Sequence, residues 1–600
     1  MTRPDEGATG RRGPSWWPAV VAVGRASPGL AAVAVSTTLL SASVPALFII
    51  LSGTAVGLLA RRDDGSAGSL GLVVAAMAVV LALSQLSGMV RSDVLEALAR
   101  RMDIVLRRRL IEAVARPVGL GHLEDPRLQG RIATAHGLAN RLGGPAGGLL
   151  GVTGRIQVLL TAVGCVALLA WVDPVLAAGS GALHLVVGRG LRDNYRQLLQ
   201  QLHLDPGALR RGHYLRDLLL RPGAEKETRV FGLGRWLLGL HHTEWLRVST
   251  AAWQGRRIAW WKIAAGAVLL GAGQAAGIAV LADGWQDGAV SLAALVVGVQ
   301  AGIGLLRFAA VTEWDRLAHI GWDAVDALVE VEDATRPAGP TGDRDPGAAP
   351  VREIVLRDVS FSYPDGTQVL HGVSMTIPAG GSLAIVGRNG AGKSTLLKLL
   401  LRSHEPTSGE ILVDGVPLRE LDPQRWRSRL ATMTQDFVRL PLTVRENVAG
   451  PGRATDARTL AAVAAQADLD TVLADLPHGW DTVLSPQLAG GTDLSGGQWQ
   501  KVALARGLHA LRTGATVLAL DEPTANLDIE AERAVYDAII DATREHTLLL
   551  VSHRFATVRR VDRIVVLDGG RIVETGDHAT LIQQGGLYAQ MFDAQAAVVR

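Results

Sequence analysis

At 600 residues the chain exceeds what one hydrophobic core holds, so several domains are expected. Sixty basic against 57 acidic residues leave a net charge of +3, too balanced to argue for a nucleic-acid surface, and no nucleic-acid partner is expected. The mean hydropathy of +0.23 is high for a chain with a long polar segment, so the apolar residues must be concentrated, and they lie in the first half.

Residues 1–27 are rich in Gly, Pro and Arg and read as a short cytoplasmic segment. Six apolar runs follow: Leu30 to Ala60, Ser69 to Val90, Leu149 to Ala170, Val175 to Val187, Ile258 to Ala282 and Ala289 to Leu306. Most are long enough to cross a bilayer as a helix rising about 1.5 Å per residue. The fourth is short and is expected to begin in the Trp171-Val-Asp-Pro174 turn and run past Gly188. Short polar turns join runs one and two, three and four, and five and six, while long Arg-rich stretches separate the pairs. That excess of Arg puts the long stretches in the cytoplasm, together with both termini of the six-span unit. Arg61-Arg62 in the first short loop run against that orientation, although Asp63-Asp64 follow them. Trp260, Trp261 and Lys262 read as interface anchors of the fifth span. Arg155, His184, Gln274 and Gln300 lie within or near spans, where they either line a cavity or pair with neighbouring helices. The only cysteine, Cys165, excludes an intramolecular disulfide framework and a multi-cysteine metal site.

Leu317 to Asp333 reads as a helix, and residues 334–350 form a Pro-, Gly- and Asp-rich linker. From Val351 the texture changes to short strands. Ile354 to Val359 and Gly372 to Ile377 bracket a turn at Tyr363-Pro-Asp-Gly366, and helices and strands then alternate to the C-terminus. The fold class is therefore multidomain: an N-terminal all-α six-helix transmembrane domain over 28–333 and a C-terminal α/β domain over 351–600, which Gly387-Arg-Asn-Gly-Ala-Gly-Lys-Ser394 and Asp521-Glu522 make a P-loop ATPase domain.

The chemistry centres on Gly387-Arg-Asn-Gly-Ala-Gly-Lys-Ser394, which follows an apolar strand and opens a helix. That order makes a phosphate-binding loop. Glycines turn the backbone so that N–H groups from Gly387, Arg388, Asn389, Gly390, Ala391, Gly392 and Lys393 can face phosphate oxygens. The helix behind them presents its positive end through Ser394 and Thr395. Lys393 would reach the β and γ phosphates, and the Ser394 hydroxyl would help hold Mg²⁺. Further on, Thr516-Val-Leu-Ala-Leu-Asp521 is an apolar strand delivering Asp521 to its carboxyl end as the second acidic element for Mg²⁺. Glu522, next along the strand, is expected to face the other way and to polarise the attacking water.

With these residues and Leu494-Ser-Gly-Gly-Gln498, the chain resembles an ATP-binding cassette transporter of the exporter type, with membrane and ATPase domains fused. The resemblance implies ATP and Mg²⁺ as ligands, with Gln435 as the glutamine-loop residue linking the Mg²⁺ site to the membrane domain. It implies His553 as the switch histidine on the γ-phosphate, Asp528 as part of the D-loop, and Tyr363 as the residue stacking on adenine. It further implies two nucleotides sandwiched between two ATPase domains, so that Ser495, Gly496, Gly497 and Gln498 of one chain close over the phosphate loop of another. A second half-transporter chain is the expected partner, with a homodimer favoured and a heterodimer open, because Lys393, Asp521, Glu522 and His553 are all present. Leu123-Glu-Asp-Pro126 and Arg229-Val-Phe-Gly232 fall where the family's coupling helices would be. Two features depart from the family pattern: Thr482-Val-Leu-Ser-Pro-Gln487 lacks the glutamate often found there, and Trp499 replaces the commoner Arg.

The leading functional reading is ATP-driven export of a hydrophobic or amphipathic small molecule, peptide or lipid across the cell membrane. The short segment before the first span leaves no room for a fused peptidase. The alternatives are an importer of the same architecture, for example for a metal chelate, and a membrane-tethered regulatory ATPase without cargo.

Overall fold

The computed structural model describes residues 27–61, 66–136, 145–202, 206–220, 224–336, 342–348, 350–523, 529–552 and 554–599. The first segment up to Ser27, the Arg62-Asp63-Asp64 loop, Asp528 and His553 therefore lie outside the described residues, apart from Ser27 itself. Two compact units emerge. One holds the helices up to Ala113 and from Arg127 to Ala334; the other joins Val114–Pro126 to Thr335–Arg600.

The helical elements before the ATPase unit are α1 Pro28–Arg61, α2 Ser66–Ala115, α3 Gly121–Glu124, α4 Pro126–His136, α5 Pro145–Val172 and α6 Pro174–Leu202. They continue as α7 Pro206–Leu220, α8 Glu225–Val230, α9 Gly234–Gln286, α10 Leu292–Ala309 and α11 Glu313–Ala334. Five of these helices begin at proline, whose fixed φ and missing N–H cost nothing in the first turn. Asp173 closes the turn before α6 by accepting from the N–H groups of Val175 (2.8 Å) and Leu176 (3.0 Å). Ser291 caps α10 by accepting from Ala294 N (3.2 Å).

Five helical stretches among the described residues are long and apolar enough to cross a membrane: Pro28–Ala60, Gly68–Ala115, Gly147–Val172, Trp260–Gln286 and Leu292–Ala334. The fourth expected span differs. Helix α6 has the length, at 29 residues, but Arg189 and Arg192 cut its apolar part short, so it is not among the five. Large apolar side chains such as Val79, Leu86, Val163 and Val268 stand exposed along these helices, a surface that water solvates poorly and lipid tails cover.

Small residues set the closest helix approach. A Cβ on Gly151 would lie 2.2 Å from Ala318 N and 2.6 Å from Trp314 O, and one on Gly148 would lie 2.9 Å from Gly321 Cα. Helices α5 and α11 therefore pack backbone to backbone, as small residues permit in membrane helices. Arg109 on α2 adds a paired hydrogen bond to Glu332 on α11 (2.8 and 2.6 Å).

Three of the four polar residues singled out in the spans, Arg155 among them, pair with other helices. Gln274 Nε2 donates to Gly302 O (2.5 Å), and Ser52 Oγ donates to Gln300 Oε1 (2.8 Å). His184, 1% exposed, binds through Nδ1 to Ser180 O on its own helix (2.8 Å). Arg155 lines a cavity.

The ATPase unit contains two sheets. One is antiparallel, in the order β2-β1-β4-β5, from β1 Glu353–Ser362, β2 Gln368–Pro378, β4 Ser408–Val413 and β5 Val416–Pro417. The other runs β10-β9-β3-β8-β7-β6, from β3 Ser382–Gly387, β6 Leu430–Met433, β7 Val517–Asp521, β8 Thr547–Val551, β9 Arg563–Asp568 and β10 Arg571–Gly576. All its pairings are parallel except β10 with β9. Every residue of β7 and β8 is buried, which explains their unbroken apolar runs. The Tyr363–Gly366 turn forms where expected, with Gly366 N donating to Tyr363 O (2.9 Å).

Replacing Gly151 with Leu should force α5 off α11, a change of the overpacking kind that costs about 1–3 kcal/mol or more. The thermal midpoint of the purified protein should fall, while Gly71→Ala, whose added Cβ meets nothing within 4 Å, leaves it unchanged. Equal midpoints for Gly151→Leu and the wild type would contradict this packing.

Candidate active site

In a parallel sheet all the carboxyl ends of the strands lie on one edge, where ligands gather. Strand β3 ends at Gly387, and β7, two strands away across β8, ends at Asp521, level with Val551 of β8. At the usual strand spacing these ends stand about 10 Å apart, a gap that a hydrogen bond from the Ser394 hydroxyl to Asp521 closes. A Cβ on Gly387 would lie 2.0 Å from Leu567 O, so only glycine permits that approach to β9. Gly392 has φ +101, and its Cβ would lie 2.7 Å from Leu370 Cδ2. It precedes helix α12 Lys393–Leu400 with no side-chain cap, which leaves the first-turn amides for an anion.

Lys393 is buried, and its ammonium donates across the loop to Gly387 O (2.9 Å) and Arg388 O (3.0 Å). Burial lowers its pKa, and the Glu522 and Asp521 carboxylates oppose that shift. Those carboxylates therefore lie close enough to act on Lys393. Burial also raises the pKa of Asp521, against a hydrogen bond from the Ser394 hydroxyl and the charge of Lys393. The structure thus brings Ser394 and Asp521 into contact. These two oxygen donors suit Mg²⁺, a hard cation that takes few protein ligands and keeps the rest for water and phosphate. Gln435 is exposed two residues past β6, which pairs with β7 through Met433 and Leu520.

Strand alternation does not govern Glu522. The strand ends at Asp521, and Glu522 has φ +51, a left-handed conformation rare for a non-glycine residue, with its N–H on Val551 O (2.9 Å). Such strain concentrates at functional positions, and sequence spacing gave no sign of it.

The signature residues begin a long helix, Gly496–Arg512. Ser495 and Gln498 form a capping box: Ser495 Oγ accepts from Gln498 N (3.3 Å), and Gln498 Oε1 accepts from Ser495 N (2.9 Å). Gln498 thus stiffens the turn, and the amides of Gly496 and Gly497 are left without intrahelical partners. Trp499 belongs to the core: it is 1% exposed and donates to Asp493 Oδ1 (3.0 Å). Thr482 is fully buried and accepts from His478 N (3.0 Å), so that stretch is held from within.

Tyr363 is half-buried, with its hydroxyl 3.1 Å from Thr395 Oγ1, its ring edge-on to Phe361, and Lys398 Nζ 5.4 Å from its centroid. His404 packs edge-on to the same ring (5.7 Å), and its Nε2 lies 3.4 Å from Glu124 of α3. Lys398 Nζ lies 3.6 Å from the same carboxylate, and Leu120 N donates to Ser403 O (2.7 Å). Sequence motifs missed this cluster; the segment near Leu123-Glu-Asp-Pro126 rests on the elements that hold Tyr363.

The fold and site define a class of protein. Residues 370–525 match the ABC transporter family model. The chain as a whole shares the fold of a bacterial Atm1-family ABC exporter solved with ATP bound, with a TM-score of 0.72, 23% identity, and coverage of 97% of this chain and 99% of that one. The fold is therefore that of an ABC exporter, with helices of membrane length followed by an ABC ATPase domain. Among curated relatives, the ATP-dependent lipid A-core flippase of Saccharophagus degradans is 35% identical over 288 residues, 48% of each chain. The flippase of Burkholderia pseudomallei is 40% identical over 262 residues, 43% of each chain. The mitochondrial potassium channel ATP-binding subunit of Xenopus tropicalis is 42% identical over 247 residues, 40% of this chain and 35% of that one. The aligned region spans about half the length of the first of these relatives, and less of the others.

Burial pushes His404 below its ordinary 6.5, as does the Lys398 charge, while Glu124 pulls the other way. The folded state then binds fewer protons than the unfolded chain, so stability falls as pH drops through about 6.5. The thermal midpoint of the wild type should fall more steeply on acidification than that of His404→Gln. Identical slopes would contradict a buried, neutral His404.

Proposed function

We propose that the chain hydrolyses ATP and couples the cycle to movement of a hydrophobic or amphipathic cargo across the cell membrane, acting as a dimer of identical chains. The observation that carries this reading is the meeting of Lys393, Ser394, Asp521 and Glu522 at one sheet edge, in a chain that also has helices of membrane length. The loop amides and Lys393 would hold the phosphates, and Ser394 and Asp521 would hold Mg²⁺, which supplies charge neutralisation on the phosphate oxygens. Glu522 would orient the attacking water and Gln435 would sense the metal site, with His553, Asp528 and Tyr363 in the roles given above.

The exposed amides at Gly496 and Gly497 form half of an anion site, which a second chain's phosphate loop would complete. ATP binding would then drive closure, and hydrolysis would remove the bridging charge. The segment Val114–Pro126, packed on Ser403 and Arg427, would carry that motion through α2. Val230 at the end of α8 and Phe231 next to it, 79% and 70% exposed, would offer an apolar contact for the partner chain. The Arg-rich stretches would place the N-terminus and the ATPase unit in the cytoplasm.

The flippase relatives support an amphipathic, lipid-like cargo. A second reading, an ATPase that gates a partner, draws on the potassium channel subunits. Reconstituted in bilayers, the wild type should hydrolyse ATP, and Glu522→Gln should still bind ATP while losing about 10²-fold or more of the rate. Unimpaired hydrolysis by Glu522→Gln would overturn the catalytic assignment. Full hydrolysis with no cargo movement in sealed vesicles would favour the gating reading.

A further inference from the structure

A cavity of about 600 Å³ opens among α5, α6, α10 and α11, all within the helical unit. Arg155 and Arg192 flank the ring of Phe308, with their guanidinium carbons 5.1 and 5.2 Å from its centroid. Both point toward one acceptor, Phe308 O, from Arg155 at 3.4 Å and from Arg192 at 3.1 Å. Gly188 allows this, because a Cβ there would lie 3.0 Å from Ala309 Cα. Two half-buried guanidinium groups converging on one neutral carbonyl repel each other and carry a large desolvation cost.

Among the described residues only Asp315 lies within ion-pair distance of either, although Asp193 also acts on Arg192 from the next position. Asp315 lies 3.7 Å from Arg155 Nε and already accepts from Thr312 N (2.9 Å) and Thr312 Oγ1 (3.0 Å). Among the described residues no carboxylate lies within ion-pair distance of Arg192. The other acids on the cavity wall are committed elsewhere. Asp323 and Asp326, two to three turns further along α11, act on Arg131, and the third arginine of the wall, Arg196, is paired by Asp193 from outside it (3.6 Å). The wall as a whole has three arginines and three aspartates, but Arg155, Arg192 and Asp315 by themselves leave one positive charge, beside an apolar wall of Ile156, Leu159 and Trp322.

The position along the helices is consistent across the cluster. Arg155 lies 18 residues before Asp173, Arg192 lies 18 after Pro174, and Phe308 lies 16 after Leu292, counted along α5, α6 and α10. At the helical rise each is about 24–27 Å from its short turn, close to the thickness of the hydrocarbon core. The charge thus sits where one face of the bilayer meets water, at the end that continues into the long polar helices.

We propose that this cavity binds an organic anion, a carboxylate or phosphate ester on an apolar body, with its charge between Arg155 and Arg192 and its body along Ile156, Leu159 and Trp322. The proposal deepens the transport reading by giving the cargo a charge, and as cargo recognition it rests on that reading. The same chemistry occurs in an acidic lipid of the bilayer and in a soluble amphiphile.

The test uses the full chain in phosphatidylcholine nanodiscs and follows binding of 1-naphthyl phosphate, with 1-naphthol and 1-naphthylmethylammonium as the neutral and cationic counterparts. We expect saturable binding of the phosphate alone. It should weaken about tenfold or more in Arg192→Gln, because a charge-assisted hydrogen bond is lost, and recover in Arg192→Lys. No saturable binding, equal binding of the cation, or unchanged affinity in Arg192→Gln would overturn the proposal. A correctly folded Arg192→Lys keeps the test valid even where Arg192→Gln does not fold. Replacing half the lipid with phosphatidylglycerol separates the sources: competition assigns the site to an acidic lipid, and its absence assigns it to a soluble anion. Binding is also measured in Glu522→Gln. Anion binding without transport would count against the transport reading alone, and transport without anion binding would count against this site alone.

Discussion

The ATPase unit depends on the parallel pairing of β3 with β8 and β9. That pairing sets Gly387 level with Leu567 and brings β7, with Asp521 at its end, to the same sheet edge. Lys393 and Asp521 are both buried there, and each holds the other's charge in a place where an isolated ion would be costly. The glycines, the exposed first turn of α12 and the strained backbone of Glu522 serve one arrangement: donors and a cation beside two carboxylates at a point where charge is poorly screened.

Ser495 and Gln498 spend their side chains on each other, so the signature turn is rigid before any ligand arrives. In the proposed dimer those rigid amides would face the phosphates held by the partner chain. Within the ATPase unit, Glu124 reaches His404 and Lys398 beside the Tyr363 ring, so residues on the nucleotide side touch a segment that continues directly into α2.

Much of this was legible in the sequence, because the phosphate loop, the acidic strand and the signature are each contiguous and impose strict local demands. A glycine that meets Leu567 O, a lysine and a serine at fixed offsets, and four apolar residues before an acid leave few other uses. The left-handed turn at Glu522 was not legible, since it arises where β7 ends against Val551. Nor was the Glu124–His404 contact, whose partners lie far apart in the chain and belong to no motif. In the helical unit the runs announced most of the spans. The short apolar part of α6 also announced its own exception, and there the basic residues form part of a cavity wall. Arg155 alone could not disclose that wall, because it takes Arg192 and Phe308 from two other helices to make it.

The central claim is that each ATP site is built from two chains, and subunit mixing tests it most directly. Wild-type chains would be co-expressed with chains carrying both Lys393→Ala and Ser495→Arg, and ATP hydrolysis followed against the wild-type fraction. In a mixed dimer each composite site would then contain one disabled half. With sites built from two chains, activity falls as the square of the wild-type fraction. A linear fall would mean that each chain hydrolyses ATP with its own residues alone, and would contradict the claim.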